Sequence, residues 1–274
     1  PASFPPMADP IFAHVSDTAR WVAVYRAMET ERPDAIFKDP FARRLAGARG
    51  EAIVKALPKG RAMSWPMVVR TAVMDEIILR EVGRGSIDVV LNLAAGLDAR
   101  PWRLPLPPAL RWIDVDHPAM VDYKTTALAT EQPRCDYRAV ATDLADPAAR
   151  AQLLTEATGN ARDVLVITEG LLIYLAEADV NGLARDLHAR SPIRNWLTDL
   201  ASPALLKWMA KDVGRAVAAG NAPFRFGPAD SAAFFSELGW DEREYRSVFS
   251  EGLRLNRTMP LGRWMAERSR SSMR

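Results

Sequence analysis

The chain has 274 residues, 49% of them hydrophobic, and a formal net charge of +2 at neutral pH. That length admits one large domain or two small ones with a sizeable core. The basic residues are spread along the chain rather than bunched, which argues against a nucleic-acid surface. Cys135 is the single cysteine, so neither an internal disulfide nor a Cys-based zinc site is available within this sequence. His14, His117 and His188 lie far apart without ligand spacing, which argues against metal. No apolar run reaches the ~20 residues that span a bilayer. The opening PASFPPMADPIFAHV lacks the basic start and apolar core of a secretion signal. The expectation is a soluble cytoplasmic protein without a metal, membrane or nucleic-acid partner.

In chain order, the N-terminal third reads as helical. From 15 to 33, Ser16 or Asp17 offers an N-cap, and Trp21, Val22, Tyr25 and Met28 make one apolar face before Pro33 stops the helix. Lys38–Gly47 reads as a second short helix and Trp65–Gly83 as a third. From Ile87 the period changes to alternating strand and helix. The predicted strands are Ile87–Leu93, Arg111–Val115, Asp136–Ala141, Asp163–Thr168, Arg194–Asp199 and Glu244–Ser250. Helices are predicted around Pro118–Thr130, Pro147–Thr158, Glu177–Arg190 and 203–219, and the Gly/Pro-rich stretch 218–228 reads as a loop. This β-α-β-α series has the element lengths of a doubly wound α/β fold, a parallel sheet covered on both faces.

Open sheets of this kind bind ligands at the carboxyl ends of their strands. The first strand, β-branched and apolar, breaks at Ala94-Ala95-Gly96, residues small enough for a backbone to approach a ligand closely. Asp116, twenty positions after Gly96, ends the second strand; that layout holds a nucleoside, with the carboxylate on the ribose hydroxyls. Asp114 is the alternative for that contact. Asp98, Asp114 with Asp116, Asp143 and Glu169 bring an acid to the end of four consecutive strands. Such an edge repels a pyrophosphate and suits a sulfonium and an ammonium, which favours S-adenosylmethionine. A nicotinamide-dependent oxidoreductase also uses a small-residue turn and a later acid, but it wants three glycines to bring a helix N-terminus to the pyrophosphate. The turn here has one.

SDTARWVAVYRAMETERPDAIFKDPFARRLAG, LNLAAGLDAR, DVDHPAMVDYKTTALA, ATDL and TEGLLIYL, in that order from Ser16 to Leu175, resemble the leucine carboxyl methyltransferase superfamily. The similarity is greatest to its bacterial branch of S-adenosylmethionine-dependent O-methyltransferases, some of which act in polyketide biosynthesis. The resemblance implies a class I methyltransferase-like, mostly parallel doubly wound sheet over 85–274, with an N-terminal helical cap at 1–84. It also implies S-adenosyl-L-methionine as cofactor and a small-molecule acceptor. Position by position, it puts Arg70 near the cofactor's carboxylate, Ala94 to Gly96 under the methionine moiety, and Asp116 on the ribose. Asp143 and Leu144 border the adenine, and Glu169 sits near the methionine end. Members usually carry Gly where this chain has Ala94, and alanine does not readily take a positive φ. A degenerate cofactor-binding regulatory protein is therefore a further alternative.

Tyr174 is a candidate for the substrate pocket, against ordinary core packing. Arg20 is a candidate partner for an acidic substrate, against a solvated helix face. Trp21, Trp65 and Met67 read first as helix packing, Cys135 as an inert buried thiol, and His117 as the cap of the helix begun by Pro118. No histidine or paired carboxylate presents itself as a general base. A carboxylate acceptor is already ionised at neutral pH and needs none, whereas a phenol with a pKa of ~10 benefits from one.

Overall fold

The computed structural model describes residues 11–14, 16–57, 60–61, 63–211 and 223–258. Five strands form one parallel sheet: β1 Val89–Leu93, β2 Arg111–Asp116, β3 Asp136–Ala141, β4 Val164–Thr168 and β5 Ile193–Thr198. Their order is β3-β2-β1-β4-β5. The chain winds outward from β1 through β2 to β3, returns to the other side of β1 for β4, and winds outward again. The reversal between β1 and β4 is the switch point where such sheets form a crevice. β1 and β4 are buried at every position, as β-branched and apolar runs covered on both faces must be.

Alternation along the strands divides the core. Val89, Leu91 and Leu93 of β1, with Val164 and Val166 of β4, pack on α6 (Pro147–Thr158) and α7 (Glu177–His188). Val90, Trp112, Leu165 and Ile167 face the other way, onto Met74, Ile78 and Val82 of α3 (Trp65–Gly83). A third apolar cluster joins α1 (Ser16–Thr30) and α2 (Ala42–Ala56) to Leu97, Trp102 and Met120 beyond the strand ends. Trp102 belongs to α4 (Arg100–Arg103), and Met120 to α5 (Pro118–Ala127). α1 is also held by charge: Arg26 pairs with Asp39 (2.8 Å) and donates to the Leu97 carbonyl (2.5 Å), tying the helix to the turn after β1.

Two predicted elements differ. The second helix begins later and runs further, because Asp39 is engaged by Arg26 and its Oδ1 accepts from the Phe41 amide (3.1 Å), which holds Lys38–Pro40 out of the helix. It continues to Ala56 through a break at Gly47, whose φ of +60° and extended ψ suit glycine. The predicted strand Glu244–Ser250 is absent. Residues 241–247 are irregular, and Val248–Arg254 is helical (α10). The alternation of Glu244 and Arg246 that imitates a strand serves ion pairs to α3: Glu244 to Arg80 (2.5 Å) and Arg246 to Glu76 (3.5 Å). The loop prediction holds over 223–228; residues 212–222, with the end of the helix predicted over 203–219, lie outside the described residues. The remaining helices are α8 (Pro203–Lys211) and α9 (Ser231–Ser236). No helix among the described residues is long and apolar enough to cross a membrane.

Candidate active site

The register of the sheet sets the site. Leu93 of β1 pairs with Val115 of β2 on one side and with Thr168 of β4 on the other, and Thr168 pairs with Thr198 of β5. Ala94, Asp116, Glu169 and Asp199 therefore leave neighbouring strands at one level of the sheet edge. After β1 the chain turns with positive φ at Ala94 (+53°) and Gly96 (+50°). The Ala95 amide donates to the Val115 carbonyl (3.0 Å), and the Gly96 amide to Asp116 Oδ2 (2.7 Å). Asp116 Oδ1 accepts from the His117 amide (2.7 Å), so this carboxylate is aimed by two backbone donors and keeps lone pairs for others. A Cβ on Gly96 would stand 3.1 Å from Cβ of Ala19, so glycine lets α1 close on the turn.

On the β2–β3 side, Ala94, Asp116, Asp143, Leu144, Leu171 and Leu175 line one cavity, together with His117 and Thr142. Asp143 is exposed and spends one oxygen on the Ala145 amide (2.9 Å). Arg150 was not singled out from sequence. It donates to the Leu144 carbonyl (2.7 Å) and pairs with Asp186 of α7 (2.6 Å), pinning the loop that carries Asp143 and Leu144. A second hollow, lined by Arg111, Asp136, Arg138 and Glu156, lies at the amino ends of β2 and β3, away from this edge.

On the β4–β5 side the groups are half-buried to buried and already paired. Arg70 of α3 donates from Nε to Glu169 Oε1 (3.0 Å) and from Nη1 to Asp199 Oδ2 (2.8 Å). Glu169 Oε2 accepts from Arg100 (2.7 Å), which also binds Asp98 (2.8 Å) and Asp75 (2.6 Å) and is only 2% exposed. Burial alone would raise the Glu169 carboxyl; Arg100 and Arg70 outweigh it and hold the pKa down at about 2. For Asp98 too, burial pushes upward, but Arg100, Lys124 and Arg103 hold the carboxyl well below the usual range. Asp114 is a core residue. It takes Lys124 (2.6 Å), the Trp112 indole (2.8 Å) and Asn92 (3.0 Å), which leaves it unsuited to a ribose.

The edge is therefore less acidic than its sequence suggests. Asp98, Asp114 and Glu169 are neutralised by Arg100, Lys124 and Arg70, and the open acids are Asp116 and Asp143. Of the predicted site residues, the structure brings Ala94, Asp116, Asp143 and Leu144 to one cavity, places Gly96 on its turn, and joins Arg70 to Glu169. Tyr174, half-buried, lies against Phe224 (5.6 Å between ring centroids) and shares a hydrogen bond with Thr18 of α1. Burial pushes its hydroxyl pKa up. Arg20 is not on a solvated face: its guanidinium stacks 3.8 Å over the Tyr123 ring, binding α1 to α5. His117 takes the N-cap position of α5 without a side-chain capping bond. Trp21 is in the core, and burial pushes the Cys135 thiol up to about 12. Asp199 and Arg100 were missed. Asp199 was legible as a fifth acid at a strand end; Asp98 stands two residues from Arg100, but nothing local announces its other partners, Asp75 and Glu169.

A parallel sheet in this order, helices on both faces and a nucleoside-type edge at the switch point define a class I methyltransferase fold. The fold is similar to that of a DUF574 family protein from Streptomyces avermitilis (TM-score 0.57, 18% identity, 83% of each chain covered). It is also similar to a candidate methyltransferase from Thermobifida fusca (TM-score 0.54, 17% identity, 86% and 85% covered). The leucine carboxyl methyltransferase family model matches residues 19–188, and the chain belongs to that family of S-adenosyl-L-methionine-dependent methyltransferases. A candidate enzyme of that kind from Streptomyces avermitilis is 34% identical over 240 residues, 82% of each chain. Another, from Mycobacteroides abscessus, is 35% identical over 193 residues, 65% of this chain and 62% of that protein. A third, from a Parafrankia strain, is 35% identical over 185 residues, 64% of this chain. The chain thus spans about six-tenths of the length of the latter two, 62% and 59%.

Proposed function

We propose that this protein transfers the methyl group of S-adenosyl-L-methionine to an oxygen of a small cytoplasmic acceptor, a carboxylate or an acidic hydroxyl of the kind found on polyketide-type metabolites. The observation that carries the reading is the strand register, which lines up the Ala94–Gly96 turn, Asp116, the Asp143–Leu144 loop and the Arg70–Glu169 pair along one edge. The donor set fits the cofactor's parts. Asp116 retains acceptor capacity for a ribose diol, and Asp143 lies beside apolar Leu144, Leu171 and Leu175, as an adenine requires. Arg70 has five N–H groups, of which two are used among the described residues, and ionised Glu169 suits an ammonium.

When bound, the cofactor supplies an electrophilic methyl on its sulfonium. The protein's part is alignment and exclusion of water. α1 and α2 act as the cap, α3 being a layer on the sheet: α1 closes on Gly96 and reaches Tyr174 through Thr18. Tyr174, its ionisation pushed up by burial, acts as a protonated hydroxyl that orients the acceptor oxygen rather than as a base. His14 bonds its neighbour Ser16 and His188 packs on Trp240, and neither lines the cavity. An acceptor that arrives ionised needs no more.

S-adenosylhomocysteine should raise the melting temperature by mass action and NAD should not; a shift with NAD alone removes the reading. Transfer of labelled methyl to pooled carboxylic acids and phenols then tests the acceptor. Turnover on a carboxylate should be flat between about pH 6 and 8. A rate inflection near neutral pH, abolished by replacing one histidine, would instead indicate base-assisted methylation of a hydroxyl.

A further inference from the structure

The β5 end carries an acid that the reading above does not use. Asp199 Oδ1 accepts from the Gly170 amide (2.6 Å), and Oδ2 accepts from Arg70 Nη1 (2.8 Å). Gly170 has φ of +67°, and a Cβ there would meet the Arg70 guanidinium at 3.4 Å, so the guanidinium rests on this glycine. Glu169 takes Nε of the same guanidinium (3.0 Å). Arg70 is thus fixed in three ways: by Glu169, by Asp199 and by the floor at Gly170. Its Nη2 has no protein acceptor among the described residues. A guanidinium held at Nε and Nη1 has its plane fixed, and with it the directions of its Nη2 donors.

We infer that Asp199 is a positioning residue: it ties the Glu169-Gly170 turn to Arg70 so that the free donors of Arg70 face the amino-acid end of the bound cofactor. This rests on the reading of Arg70 as the partner of the cofactor's carboxylate. Geometry and simple electrostatics make opposite demands here. As a bare negative charge beside Arg70, Asp199 opposes a carboxylate ligand, and its neutralisation would tighten binding. As a clamp, it pre-organises Arg70, and its loss weakens binding by freeing a long side chain that must then be ordered by the ligand. Asn keeps an oxygen for the Gly170 amide but turns an N–H toward Arg70, so Asp199→Asn releases Arg70 and leaves the turn bonded.

The experiment is calorimetric binding of two nucleosides to the whole protein: S-adenosylhomocysteine, and methylthioadenosine, which lacks the amino-acid end. Asp199→Asn should weaken S-adenosylhomocysteine by about tenfold and methylthioadenosine by less than about twofold, with turnover playing no part in the readout. Asp199→Ser carries the same expectation if the Asn variant does not fold. Tighter or unchanged S-adenosylhomocysteine binding, or equal loss for both ligands, overturns the role. Arg70→Lys separates the two levels of the argument. If it also erodes the preference for S-adenosylhomocysteine while Asp199→Asn does not, the Asp199 role falls and the Arg70 reading stands. If Arg70→Lys leaves the preference unchanged, both fall.

Discussion

The two halves of the strand-end edge are built on different principles. On the β4–β5 side each charge has a partner inside the protein: Arg70, Glu169, Arg100, Asp98, Asp75 and Asp199 form a continuous ionic chain, buried at Arg100 and Asp75 and half-buried elsewhere. On the β2–β3 side, Asp116 and Asp143 have only backbone donors among the described residues and stand at the cavity. The first half is organised before any ligand arrives, and its geometry is inseparable from the stability of the fold. The second offers unspent acceptors on loops, where a change alters binding while the core stays intact. Substitutions in the two halves should therefore separate stability from affinity.

The sharpest break is Arg100. It is buried against Asp75, Asp98 and Glu169, and Arg100→Met would leave three buried carboxylates short of their cation. Removing one partner of such a network costs about 3–5 kcal/mol. Denaturant unfolding should show that loss, or the variant should fail to accumulate; a loss below about 1 kcal/mol would mean the network relaxes freely.

Acid should act on the same half. The Glu169 pKa falls from an ordinary 4.5 to about 2 in the folded protein, so the unfolded chain binds the proton first as pH drops. Its contribution is present in full above about 4.5 and is lost as pH falls toward about 2, on the order of 3 kcal/mol. Unfolding free energies at pH 6 and pH 3 should differ less in Glu169→Gln than in the parent. Equal differences would show that the acid sensitivity lies elsewhere.

On the open half, Asp143→Ala and Asp116→Ala should each weaken S-adenosylhomocysteine by roughly 1–3 kcal/mol. Asp143→Ala should leave the melting temperature within a degree or two, since that side chain is exposed. Unchanged affinity in both variants would move the nucleoside away from this cavity. A large loss of stability in Asp143→Ala would erase the contrast between the halves.

What was legible in the sequence follows the same division. β1 and β4 read well because buried parallel strands are apolar runs, and they differ from their predicted spans by a residue or two at the start; β3, an edge strand without a fully buried residue, matches its span. The open half was legible too, since Ala94, Asp143 and Leu144 lie just beyond those strands and Asp116 ends β2. The ionic half was legible as charges but not as partners. Arg70 lies 99 positions from Glu169 and 129 from Asp199, and no local period encodes such pairings. Glu244–Ser250 failed for a related reason. Period-2 alternation marks a strand only when one face is apolar, and there the alternating residues are charges answering Arg80 and Glu76 on a distant helix.

Ala94 is where the two halves meet, and it supports the finest test. Its φ of +53° is a left-handed conformation that costs an L-residue about 1–2 kcal/mol and costs glycine little. Glycine in turn loses roughly 0.5–1 kcal/mol more backbone entropy on folding. Ala94→Gly should therefore change stability by between zero and about 1.5 kcal/mol, in the stabilising direction. Ala94 also lines the cavity with Asp116 and Leu171, where the proposed cofactor would approach the backbone. Removing its methyl group should tighten S-adenosylhomocysteine by a factor of about two to five, a smaller effect than any substitution of Asp116 or Asp143. Paired melting and calorimetric measurements on the one variant read both effects. A gain in stability without a gain in affinity would show that the strain is local and the methyl group already fits. Weaker binding in the glycine variant would show that a pre-ordered turn matters more here than a closer approach, placing Ala94 with the pre-organised half of the edge.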